Sequence, residues 1–349
     1  MKVDIAKAFR TAGESVSDLM QQRGVGYYIP LYQRDYSWDR ENIEQMMEDI
    51  ARGVDSLIDP DPSTRANAIH FLGTVLLVAA HAREDINPRD EKAIPARVDI
   101  VIDGQQRLST LAMVAAMLYQ RITRIGKRLP PEHELHDQIK AYQEPLLEMF
   151  TYDLHRGTPS RKPLIIRGSI DGWTLDGPDG QHYRSPIALY LAKVIRAISD
   201  QTVDFPPIPG GDTRVTRVLR LIDRKLKEVE EAHVVEDPAF ALAWQLVGAM
   251  SQDELWGYRR DELAAEVASL EPKTAKQMTT LERRVASLTQ LFAFCHFLLH
   301  RCCVTVIRPS EDRWAFDMFQ SLNATGTPLT AVETFKPLVV NQAIQDAFE

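Results

Sequence analysis

Residues 98–107 read VDIVIDGQQR, an apolar, partly alternating run that stops at Asp-Gly and gives way to helical spacing. This junction constrains the fold more tightly than any other part of the chain. A strand ends in a tight turn, and a helix opens directly behind it. Free backbone N–H groups then gather at one point and favour an anion. Gly104 lets the backbone turn and approach a ligand closely. Asp103, Gln105, Gln106 and Arg107 crowd one carboxylate, two amides and one guanidinium around the same spot. Leu108, Leu111, Ala112, Ala115, Leu118 and Tyr119 follow at helical spacing, which predicts a helix with one face in a core. An ordinary strand–turn–helix connection would account for the pentapeptide alone; two further segments turn the reading toward a phosphate site.

The first is residues 29–38, IPLYQRDYSW. Tyr32, Tyr36 and Trp38 alternate with Gln33, Arg34 and Asp35. Asp39 is placed to cap a helix whose stripe is Ile43, Met46, Met47 and Ile50, with Trp38 and Ile43 as a staple. Packing explains Trp38. It requires neither Gln33 nor Arg34, whereas an amide and a guanidinium beside aromatic rings suit phosphate or base recognition. The second is residues 316–337, FDMFQSLNATGTPLTAVETFKP. A helix is expected to end near Asn323 and Gly326, and Thr330 with Glu333 forms a capping box that starts another. Asn323 and Lys336 are left as polar groups within reach of a neighbouring ligand.

Taken in order, Ile29-Pro30-x-Tyr32-Gln33-Arg34-x-Tyr36-x-Trp38, Asp103-Gly104-Gln105-Gln106-Arg107-Leu108-Ser109-Thr110-Leu111, and Phe319-x-x-Leu322-Asn323-x-x-Gly326-x-x-Leu329 with Lys336 resemble one family. It is the N-terminal domain of GmrSD-type modification-dependent restriction enzymes, the kind of domain also carried by the phosphorothioate-sensing protein SspE. The resemblance runs from about residue 28 to residue 336, with long unmatched stretches between the motifs. The family tends to carry Asp-Leu-x-Lys where this chain has Glu333-Thr334-Phe335-Lys336, so Lys336 keeps the pattern and Glu333 departs from it. The resemblance implies a ParB/sulfiredoxin-like core that binds and hydrolyses nucleoside triphosphates, coupled to a separate HNH-type nuclease. It also implies that Asn323 and Lys336 reach the rim of the same cleft.

Roles follow as expectations. Arg107 neutralises triphosphate charge beside the N–H groups of Gln105 and Gln106. Asp103 holds Mg²⁺, directly or through water. Gln105 or Gln106 orients the attacking water. Gly104 lets phosphate approach, and Ser109 and Thr110 add hydroxyl contacts. Gln33 and Arg34 bind either nucleotide or DNA, and Tyr32, Gln33, Arg34 and Tyr36 form the candidate surface for sensing a DNA modification, phosphorothioate or modified cytosine. No Walker-type Gly-x-x-x-x-Gly-Lys-Ser/Thr occurs. The partners expected are a nucleoside triphosphate, modified double-stranded DNA and an HNH-type nuclease domain or subunit. A nucleotide-gated DNA-binding switch with little hydrolysis is the alternative. A nuclease acting through Asp103 and Arg107 is disfavoured, because two-metal chemistry normally needs several carboxylates.

Composition bounds this picture. The chain has 349 residues, 44% hydrophobic and 26% charged, values of an ordinary globular protein. No apolar run reaches membrane-spanning length, and Asp4, Glu14 and Asp18 interrupt any secretory pattern, so a cytoplasmic protein without membrane contact is expected. Cys295, Cys302 and Cys303 sit in an apolar stretch and read as buried thiols. His296 and His300 have a metal-compatible spacing but lack the glutamate of a metalloprotease helix and read as core histidines. With a formal charge of −8, DNA contact requires a local basic patch or another domain. Residues 121–128 and 214–227 supply basic stretches, each read as a solvated helix face.

The expected fold class is α+β: a ParB/sulfiredoxin-like mixed α/β core with a large, mainly helical second domain or insertion. The expected parts are residues 1–128 as the nucleotide-binding core, 129–302 as the helical domain, and 303–349 as a returning strand and helices that complete the cleft. Within the first part an N-terminal helix and strands at 69–79 and 98–103 are expected, with a long charged loop at 81–97. Loops are expected at 176–180 and 204–212, and a strand at 303–307. Because the chain stops soon after its last motif, it is expected to be an N-terminal fragment or one subunit of a split system.

Overall fold

The computed structural model describes residues 8–80, 86, 93–153, 161–168, 170–174, 182–202, 204–310, 314 and 318. In chain order the strands are β1 (Phe9–Ser15), β2 (Val25–Ile29), β3 (His70–Ala79), β4 (Arg97–Asp103), β5 (Thr151–Asp153), β6 (Arg161–Pro163), β7 (Ile165–Arg167) and β8 (Cys302–Pro309). The helices are α1 (Val16–Met20), α2 (Arg40–Leu57), α3 (Pro62–Ala66), α4 (Gln105–Gly126), α5 (Leu135–Glu148), α6 (Pro186–Ser199), α7 (Arg214–Glu230), α8 (Ala243–Ala249), α9 (Gln252–Trp256), α10 (Asp261–Ala268) and α11 (Thr280–His296). A π-turn, Phe297–Arg301, joins α11 to β8.

Six strands form one mixed sheet in the order β1-β8-β3-β4-β2-β7, and β5 pairs with β6 in a separate ribbon. The β1–β8 and β3–β4 pairs are antiparallel; β8–β3, β4–β2 and β2–β7 are parallel. The architecture is α+β, and its sheet draws on all three expected parts: β7 arrives from the helical middle and β8 from the C-terminal segment.

At β3 and β4 the sheet is covered on both faces. Val75, Leu77 and Val101 enter the main core, while Leu76, Val78 and Ile102 form a second cluster on the opposite side with Ile100, Ile307 and Met318. Burial on two sides explains why β3 and β4 read as nearly continuous apolar runs rather than clean alternation. Helix α4 lies at the centre and is buried around nearly its whole circumference, from Leu108 to Gly126. The expectation of one buried face was too narrow; a helix apolar all round belongs inside.

One local expectation changes, and one strand stands where none was expected. Within residues 8–20, the described part of the stretch where a helix was expected, strand β1 comes first and the one-turn α1 follows, with Ser15 and Asp18 as its capping box. The strand is largely exposed and lies at the sheet edge against β8, nearly 300 residues away, a pairing that no local pattern carries. Strand β2 is buried at every position and lies directly before the aromatic segment. Other elements form as expected. Asp39 caps α2, accepting from the N–H groups of Glu41 (3.1 Å) and Asn42 (3.3 Å), and residues 204–212 form a connection without helix or strand. Most of 81–97 and all of 176–180 lie outside the described residues.

Two helical glycines make the packing testable. A Cβ at Gly53 in α2 would collide with the Phe297 ring, whereas one at Gly248 in α8 would meet nothing within 4 Å. Gly53→Ala is expected to destabilise by about 1–3 kcal/mol through overpacking. Gly248→Ala is expected to stabilise by about 0.5–1 kcal/mol through helix propensity. Urea unfolding of the two variants reads the opposite signs.

Candidate functional site

Gly104 has φ +91° and opens α4. A Cβ there would stand 3.0 Å from Val75 Cγ2 and 3.3 Å from the Thr74 carbonyl oxygen, so both conformation and space require glycine. No side chain caps this helix start, which leaves its first N–H groups for other partners.

Gln105 and Gln106, both buried, turn to the segment of residues 33–37. Gln105 Nε2 donates to the Arg34 carbonyl (3.0 Å) and to Gln33 Oε1 (3.3 Å). Gln106 Nε2 donates to the Asp35 carbonyl (3.1 Å), and its Oε1 accepts from the Ser37 N–H (2.8 Å). Gln33 Nε2 in turn donates to the Ile102 carbonyl at the end of β4 (2.6 Å). The glutamines of the two sequence motifs thus latch an irregular loop onto the strand–helix junction. Thr110 is fully buried; its hydroxyl donates to the Gln106 carbonyl (2.8 Å) and lies 2.6 Å from the Tyr36 hydroxyl. Its work in this structure is to hold Tyr36, whose own ionisation is pushed well up by burial.

The sequence did not single out Arg167. It ends β7 and donates to the carbonyls of Gln33 (Nη2, 2.6 Å) and Arg34 (Nη1, 3.1 Å), and Nη2 lies 3.0 Å from Asp35 Oδ1. Its buried Nε has no hydrogen-bond partner among the described residues. Arg214 was read only as part of a basic stretch, yet its Nη1 donates to the Ser37 carbonyl (2.6 Å). Both arginines line a pocket of about 260 Å³ together with Gln105, Gln106, Ser109, Asp35 and Tyr36. Ile29, Ile165, Ile166, Ile187 and Val215 provide apolar wall, and the starts of α6 (Ser185–Ala188) and α7 (Thr213–Val215) complete it. Helix starts carry partial positive charge, so cationic and apolar surfaces meet in one concavity. The only sequence signal for Arg167 was its place after two isoleucines, which says nothing of a pocket.

The Asp-Gly-Gln-Gln-Arg motif does not face this pocket as a whole. Arg107 turns the other way: its Nη1 donates to the Thr74 carbonyl (2.8 Å), and its guanidinium fills the space beside Gly73, whose φ is +108°. Burial lowers the Arg107 pKa, and Asp103 opposes that shift, so the two charges sit within each other's field at the strand end. The pocket brings together Gln105, Gln106, Ser109, Asp35 and Tyr36, while Asp103 and Arg107 hold the opposite side of the same turn. Tyr32 and Arg34 are half-buried and are not part of the pocket wall. Asn323 and Lys336 lie outside the described residues.

Of the other sequence candidates, the two histidines read as core residues are not in the core: His296 is half-buried and His300 is exposed. Arg121 is buried and pairs with Asp223 (2.7 Å) and Glu230, so the 121–128 stretch is not a free basic face at its start. Among the described residues no three His, Cys, Asp or Glu side chains form a metal group, and burial lowers His296 to about 4. Cys295 and Cys302 are free and buried.

Arg167→Ala is expected to release the 33–37 loop, because hydrogen bonds from a charged donor contribute about 1.5–3 kcal/mol each. Hydrogen exchange at the Ser37 amide is expected to rise roughly ten- to hundred-fold, with little change at buried amides of α4. Unchanged exchange at Ser37 would show that the glutamines hold the loop unaided.

The sequence was compared with known proteins. No curated protein matches it. The N-terminal domain of the GmrSD restriction endonuclease matches residues 16–206, a span that covers β2, β3, β4, α4 and β7 and therefore every element of the latch. This match extends over more than half of the chain, which belongs to the family of GmrSD restriction endonuclease N-terminal domains.

Proposed function

We propose that this chain is a nucleoside-triphosphate-hydrolysing regulatory and sensing module of a modification-dependent DNA restriction system, and that it controls an HNH-type nuclease. The observation that carries this reading is the junction itself. An uncapped helix start, a half-buried carboxylate and an arginine stand on one side, and a pocket with two further guanidinium groups stands on the other. Anions suit such a place: backbone N–H groups, helix charge and guanidinium forks act together.

Phosphoryl transfer is mainly a task of positioning and charge neutralisation. In this reading Arg107 and the α4 N–H groups take phosphate charge, and Ser109 adds a hydroxyl at the pocket floor. Asp103 fits Mg²⁺, which keeps several waters and commonly uses one or two carboxylates with phosphate oxygens; bound there, the ion would offset phosphate charge. The apolar wall of Ile29, Ile165 and Ile187 suits a base or sugar. The loop of Tyr32, Gln33, Arg34 and Tyr36 is the proposed sensor of phosphorothioate or modified cytosine.

A second reading has its own observation. Gln105 and Gln106 are committed to the 33–37 backbone, so a ligand that takes either amide must loosen the loop. That commitment supports a nucleotide-gated switch, in which hydrolysis is slow and binding alone changes the proposed DNA-sensing segment.

Phosphate release from GTP and ATP with Mg²⁺, with and without modified DNA, tests both. The Asp103→Ala/Arg107→Ala variant is expected to lose at least about a hundred-fold in rate, the scale of removing one transition-state charge partner. Chelation with EDTA is expected to stop release and added Mg²⁺ to restore it. Thermal melting of the variant, and the milder Asp103→Asn, separate lost chemistry from lost fold. Nucleotide binding without hydrolysis, abolished in the double variant, would establish the switch. Neither binding nor hydrolysis under any of these conditions would sink the nucleotide reading.

A further inference from the structure

Helix α7 carries an exposed face that its packing leaves unexplained. Its buried side is Val215, Val218, Leu219, Ile222, Leu226 and Val229. Its outer side, from the helix start, presents Arg214, Arg217, Arg220 and Arg224, all exposed. The one acid within that stretch, Asp223, turns away to Arg121 (2.7 Å). These four arginines and Arg40, at the start of α2, line a groove of about 610 Å³ in which Asp39 is the single acidic side chain among the described residues.

We propose that the phosphate backbone of duplex DNA docks in this arginine-lined groove. The assignment rests on the DNA-sensing part of the function proposed above. Spacing supports it: ten residues of helix rise about 15 Å, and one strand of a duplex presents a phosphate every 3.4 Å or so along its axis. Successive phosphates also wind around that axis and so stand farther apart than the rise, and the row spans about two or three of them. The residue type supports it as well. Guanidinium forks match phosphate oxygens, and a face selected only for solubility mixes both signs. The row's present partners are exchangeable. Arg217 meets Asp212 at 3.3 Å and Arg224 meets Glu44 at 2.8 Å, with both arginines more than half exposed. Ion pairs of this kind contribute at most about 1 kcal/mol, less than a phosphate contact with counterion release.

The groove also adjoins the pocket. Arg214 lines both, and the Ser37 carbonyl that it holds belongs to the residue whose N–H binds Gln106. A backbone seated on α7 therefore touches the latch through one residue. This answers how a chain of charge −8 can meet DNA: locally, along one helix.

The test is fluorescence anisotropy of the full chain with a short duplex, with and without phosphorothioate linkages, between about 50 and 200 mM salt. Arg217→Gln/Arg220→Gln is expected to weaken binding to both duplexes and to reduce the slope of log Kd against log salt by about 2. Arg217→Lys/Arg220→Lys is expected to keep most of the slope, and Arg259→Gln, on an exposed arginine that does not line the groove, all of it. Wild-type binding with an unchanged slope in the glutamine variant would overturn the docking surface and leave DNA sensing standing. Failure of the wild type to bind either duplex would overturn both. Loss of GTP affinity with DNA affinity intact would also overturn the docking surface and assign the row to the triphosphate.

Discussion

Two glutamine amides at the first turn of α4 decide where the candidate site is and what shape it has. Gln105 and Gln106 are buried, and each must find partners because an unsatisfied buried amide is costly. They find them on the backbone of residues 34–37, a loop with no ladder or helix of its own. The loop is thereby fixed without secondary structure, and its aromatic Tyr36 is set against Thr110. Everything else at the site depends on that choice. Arg167 adds to a loop already held, Arg214 reaches its last carbonyl, and the pocket is the space between this loop and the starts of α6 and α7.

How much of this was legible in the sequence follows the distance over which each feature is encoded. The Asp39 cap, β3, β4 and the turn at Gly104 are local: a capping side chain, an apolar run, a glycine where φ must be positive. They were readable. Edge strand β1 was not, because FRTAGES is mostly exposed and becomes a strand only through β8. The glutamines stood out as residues that packing did not require, yet their mutual bonding across some 70 residues was invisible. Arg167 and Arg214 escaped for the same reason. A guanidinium at the end of a three-residue strand has no periodicity to betray it, and its meaning arises only where three distant segments converge.

The arginines near the junction divide into three sets with different surroundings. Arg107 is buried on the sheet side, against the Thr74 carbonyl and within the field of Asp103. Arg167 and Arg214 stand on the pocket side and bind backbone carbonyls of the loop. The outer row of α7 is exposed and lightly paired. A single phosphate cannot meet all three. A ligand with several phosphates, or two ligands, can engage the two sides of α4 at once, and the helix start is then the shared boundary through which one side registers the other.

The strength of the latch bears on whether such coupling is physically reasonable. Four neutral hydrogen bonds link the two glutamines to the loop. At about 0.5–1.5 kcal/mol net each, they contribute roughly 2–6 kcal/mol to holding it, beside the bonds that Arg167 and Arg214 add. Moving a two-state element from almost closed to almost open takes about 5.5 kcal/mol of differential binding. Charge-assisted bonds to a triphosphate, at about 1.5–3 kcal/mol each, would supply that with about two to four contacts. A tighter latch, built of buried ion pairs, would resist any nucleotide; a looser one would not position Tyr36 beforehand. Neutral amides on backbone carbonyls fall between these limits, and lysine or arginine at positions 105 and 106 would not.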